Sequence, residues 1–116
     1  MTIFSTTETA LNTLVGIPNA MGVFLTASPD ALPDEYLVYT EIVDISRQHA
    51  DNLEKERVYT IQVSYYSRTG LAGMPDIDGA MTAAGFQRGP GRELPYDFDS
   101  RHHGFAKDYT ILLNQN

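Results

Sequence analysis

The chain contains no cysteine. That excludes a disulfide framework, a thiolate metal site and a cysteine nucleophile. It has no long apolar run either: stretches such as "MGVFL" fall far short of the roughly 20 residues that span a bilayer, so no membrane partner is expected. The start, "MTIFSTTETALNTLVG", lacks a basic region followed by a sustained apolar segment, so a secretory signal is not expected and the chain reads as soluble and cytoplasmic. Basic residues are scarce, eight against fifteen acids. Residues 1–54 hold eight acids and the single base Arg47, whereas Lys55 onward holds seven of each. An acidic half does not grip phosphates, which argues against ordinary nucleic-acid binding. It serves solubility, or offers a surface along which DNA passes without sticking.

Signatures of catalysis are missing as well. No serine lies in a G-x-S-x-G elbow, "GPGR" lacks the lysine of a phosphate loop, and Gly70, Gly73, Gly79 and Gly85 do not have dinucleotide spacing. His49, His102 and His103 are the only histidines. His102 and His103 point apart on an extended chain, so even with Asp97 and Asp99 nearby they read as a polar bend and not a metal site. The acid pairs Asp34/Glu35 and Asp76/Asp78 read as solvation and helix-dipole matching. No catalytic, cofactor-binding or metal residues are assigned, and no enzyme activity is expected.

What is present is one domain's worth of alternation. The 116 residues, 42% hydrophobic and 20% charged, make a single domain spanning 1–116. A short helix is expected after a cap at Ser5 or Thr6, with Leu11, Leu14 and Val15 on one face and Gly16 and Pro18 as the stop. "MGVFLTA" reads as a short strand and "SPDALPDE" as a surface loop. "EYLVYTEIVDI", residues 35–45, is a strand with Leu37, Tyr39, Val43 and Ile45 on one side, and Tyr36, Val38 and Ile42 on the other. "RVYTIQVSYYSR" alternates cleanly, with Tyr59, Ile61, Val63 and Tyr65 on one face, and pairs with it antiparallel. The polar connection between them is long enough to invite a functional role. A second helix is expected with Pro75 in its first turn, Ile77, Met81 and Ala84 inward, and Gly85 as its end. "FQRGPGREL" reads as a strand pair bent at Gly89-Pro90-Gly91, and "GFAKDYTILLN" as the last strand, with Lys107 in its apolar row. The fold class is α+β: a mostly antiparallel sheet with two short helices packed on one face.

Two short helices cover one sheet face only. The second face of "EYLVYTEIVDI" is therefore expected to be bare, with another copy of the chain as its lid. Tyr36, Val38, Ile42 and Tyr66 are the candidate subunit-interface residues, tyrosine being a frequent anchor at half-wet surfaces.

In order, "LPDEYLVYTEIVDI", an acidic connection, "ERVYTIQVSYYSR", a helix ending "AAGF" and "YDFDSRHHGFAKDYTILL" are similar to the tail-completion proteins of long-tailed phages, also called tail terminators or tail-to-head joining proteins. The likeness is clearest from Leu32 to Leu113. The sequence departs from that pattern in the helix carrying Gly73, Pro75 and Gly79 and in the longer "GPGRELP". The resemblance implies a structural virion protein of the tail-head neck, assembled in the host cytoplasm as a homo-oligomeric ring, expected to be hexameric. Such a ring caps the tail tube, ends its polymerisation and meets the head-tail connector, while DNA crosses the lumen without specific binding. Its partners are the major tail tube protein and the connector protein. On this reading Arg47, Gln48, His49, Asp51, Asn52, Glu54, Lys55 and Glu56 form the loop that contacts tube or connector, with Asp51 and Glu54 as acidic lumen residues. The alternatives are a head-completion ring of the same virion and a monomeric acidic inhibitor module.

Overall fold

The computed structural model describes residues 3–14, 16–22, 26, 28, 31–42 and 56–114. Two helices and five strands follow one another as α1 (Ile3–Asn12), β1 (Asn19–Met21), β2 (Glu35–Ile42), β3 (Glu56–Ser67), α2 (Ile77–Ala83), β4 (Gln87–Asp97) and β5 (His102–Asn114). The strands form one sheet in the order β1-β2-β3-β5-β4. Only β1 runs parallel to its neighbour; the other pairs are antiparallel. The expected α+β class, mostly antiparallel sheet and pair of helices are all present.

The core follows from the alternation. Leu37 and Tyr39 of β2, Ile61, Val63 and Tyr65 of β3, and Tyr109 and Ile111 of β5 form the buried face. Their period of two puts them on one side of the pleat. Ala10 and Leu11 of α1, and Ile77 and Met81 of α2, close over that face. Buried Thr7 joins Ala10, Leu11 and half-buried Leu14 at the i, i+3, i+4, i+7 spacing of one helical stripe.

Both helices depart from expectation at their starts. Ser5 and Thr6 lie inside α1 instead of capping it, and the Thr9 hydroxyl bonds back to the Ser5 carbonyl, as mid-helix threonines do. In α2 the cap is Asp76, whose carboxylate accepts the Gly79 amide; Pro75 therefore precedes the cap. The C-terminal end behaves as expected. Gly85 has φ +103°, its amide bonds the Thr82 carbonyl, and the Phe86 amide bonds the Met81 carbonyl. That is a Schellman ending, and Met81 and Phe86 are both buried as its hydrophobic contact.

Two strands are corrected. The first is described at Asn19–Met21, beginning two residues before the expected start, with Gly22 at φ +79°, and residues 23–25 and 27 of the expected strand lie outside the described residues. "FQRGPGREL" is not a bent pair. β4 runs straight through it, and the register slips by one residue between Arg88 and Gly91. A bulge absorbs Gly89 and Pro90. Because β4 ends the sheet, the missing amide of Pro90 breaks no ladder on its outer side.

Candidate functional site

The second sheet face is where assembly was expected, and at one end it is not bare. Tyr36 and Val38 are 7% and 8% exposed within the single chain. Tyr36 stacks on Tyr66 with ring centres 4.9 Å apart, and His102 meets the Tyr36 ring edge-on at 5.1 Å. Gly104 makes this possible. A Cβ there would lie 3.1 Å from both Leu94 and the Tyr66 ring, so the absent side chain is the floor on which they rest. Tyr36 and Val38 are therefore not bare within the single chain, contrary to the expectation of an uncovered face, and the Tyr36 ring is packed by Tyr66 and His102. Tyr66 is half-buried in this stack. Ile42, at the far end of β2, is 38% exposed, as is Val58 of β3. Of the proposed contact loop, Arg47, Gln48, His49, Asp51, Asn52, Glu54 and Lys55 lie outside the described residues, and with them both lumen acids; Glu56 opens β3.

Among the described residues, several acids and His102 take up structural bonds. Asp34 pairs with Arg68 at 2.9 Å, and Glu35 accepts the Tyr65 hydroxyl. Burial, followed by that bond, pushes Tyr65 up to about 12. Tyr36 is likewise pushed up to about 12, by burial and then by Tyr66. His102 is buried and its Nε2 donates to the Pro33 carbonyl at 2.8 Å, while His103 is exposed beside Tyr96. Among the described residues no three His, Asp or Glu side chains converge as a metal site.

Two features emerge that sequence reasoning missed. The first is the β4–β5 hairpin. Nearly every residue of β4 is exposed, on both faces, and β4 is also the sheet's terminal strand. At its turn Phe98 is 84% exposed, with the Tyr96 ring edge-on at 5.0 Å. The turn is well built. The Asp97 carboxylate accepts the amides of Asp99 and Ser100, the Arg101 amide donates to the Asp97 carbonyl at 2.7 Å, and Arg68 Nε holds the Ser100 carbonyl. Those backbone bonds, from Ser100 first and then Asp99, hold the Asp97 carboxyl below its ordinary range. The sequence signal was "YDFDS", an aromatic between two acids.

The second is a cavity of about 380 Å³ between α2 and the sheet, whose apolar walls include Val63, Met74, Pro75, Ile77 and Phe105. One side is polar and internally paired. Asp78 accepts Lys107 Nζ at 2.9 Å and the Tyr109 hydroxyl at 2.7 Å, with Arg88 further off at 3.8 Å. Burial acts to raise Asp78, but the Tyr109 and Lys107 bonds and the Lys107 charge outweigh it and leave its carboxyl below the usual range. Burial, then the Asp78 bond, drives Tyr109 well above its ordinary value. The lysine in an apolar row was the clue: a cation on a core face requires a carboxylate partner.

No known family model matches the chain, and a search of curated proteins finds no match to it.

Proposed function

We propose that this chain is a structural ring subunit of the tail-head neck of a long-tailed phage, a tail terminator that caps the tube and receives the head connector. The observation that carries the proposal is the β4–β5 hairpin: an eleven-residue terminal strand exposed on both faces, ending in an exposed aromatic. Pro90, two register shifts and the charges of Arg88, Arg92 and Glu93 blunt β4 against strand addition, so what the hairpin offers a neighbour is its exposed faces and aromatic turn, not its open edge. Those surfaces are open to a head-to-tail contact between copies of the chain. The sheet with two helices on one face agrees with the architecture that the sequence resemblance implies.

The acidic balance supports passage of DNA through the ring's lumen, because like charge repels phosphates and leaves the duplex mobile. The tube protein and the connector are the other partners. The test is sedimentation of the purified chain, alone and with preassembled tail tubes. A ring that decorates tube ends is expected. A monomer at every concentration, with no affinity for tube ends, contradicts the proposal.

A further inference from the structure

We draw no further inference here: the strongest candidate, the cavity between α2 and the sheet walled by Val63, Met74, Pro75, Ile77 and Phe105, has its polar groups Asp78, Lys107 and Tyr109 bonded to one another, and nothing in the structure shows what fills it.

Discussion

Replacing Asp78 by alanine removes the one carboxylate that joins α2 to the core row of β5. In the native chain it accepts two hydrogen bonds, from the Lys107 ammonium and from the buried Tyr109 hydroxyl. Bonds to a charged partner contribute about 1.5–3 kcal/mol each. The Asp78 side chain is 34% exposed, so solvent screening cuts the pair to roughly half that sum, about 1.5–3 kcal/mol. The lysine left behind can turn outward on its long stem, but the tyrosine hydroxyl is left without its acceptor. For a chain of this size, at about 4 °C per kcal/mol, that loss lowers Tm by about 6–12 °C. Asp78→Asn keeps an acceptor for Tyr109 but no charge for Lys107, and about half the loss is expected. A urea series on D78A, Y109F and the double variant measures the coupling, expected at about 1 kcal/mol or more. Acid should act on the same group. The folded carboxyl sits below its unfolded value, so its contribution is present above about pH 4 and is lost as pH falls through the folded pKa. If D78A melts within about 0.5 kcal/mol of wild type, or its acid limb is unchanged, the Asp78 anchor is refuted.

Other expectations follow from single residues. Gly79→Ala should be close to neutral, within about 0.5 kcal/mol, because the added Cβ displaces the Asp76 carboxylate that caps α2 and the lost cap offsets alanine's better helix propensity, whereas Asp76→Ala loses the cap alone and should cost about 1 kcal/mol; thermal melts of G79A and D76A check it. Arg68→Ala should cost about 1–2 kcal/mol in urea unfolding through the lost Ser100 carbonyl bond, and Asp34→Ala less than about 0.5, since Asp34 is mostly solvated. Alkaline stability should fall as pH rises from 10 towards 12. Tyr36 and Tyr65 ionise more readily unfolded than folded, so their contribution is complete below the unfolded value and lost as pH passes the folded one. Tyrosinate absorbance read alongside circular dichroism tests it, and a melt unchanged across that range contradicts it.

Particular residues show why some of this architecture was legible in the sequence and some was not. β3 was plain because Tyr59, Ile61, Val63 and Tyr65 alternate with polar neighbours and each faces the core or packs against it. The end of α2 was plain because Gly85 supplies a backbone angle that other residues resist. β4 was hidden because Gly-Pro-Gly signals a turn by local rules, whereas an edge strand accommodates it as a bulge. The cover over Tyr36 was hidden for another reason. Alternation assigns a side chain to a face but does not report that Tyr66 and Leu94 share the space over Gly104 or that Tyr66 and His102 pack on the Tyr36 ring. The Asp78–Lys107–Tyr109 group and the cavity join residues 29 and 31 positions apart, which local patterns do not couple. Phe98 stood in plain sight between two aspartates, but only the folded hairpin shows that nothing covers it.

The central claim is that copies of this chain close as a cap on a growing tube. Its most direct test is tail length, measured by electron microscopy, in particles assembled without the chain. Tails of unregulated, overlong length are predicted. Tails of normal length beside filled heads that leak DNA contradict the claim and place the protein one layer higher, in head completion.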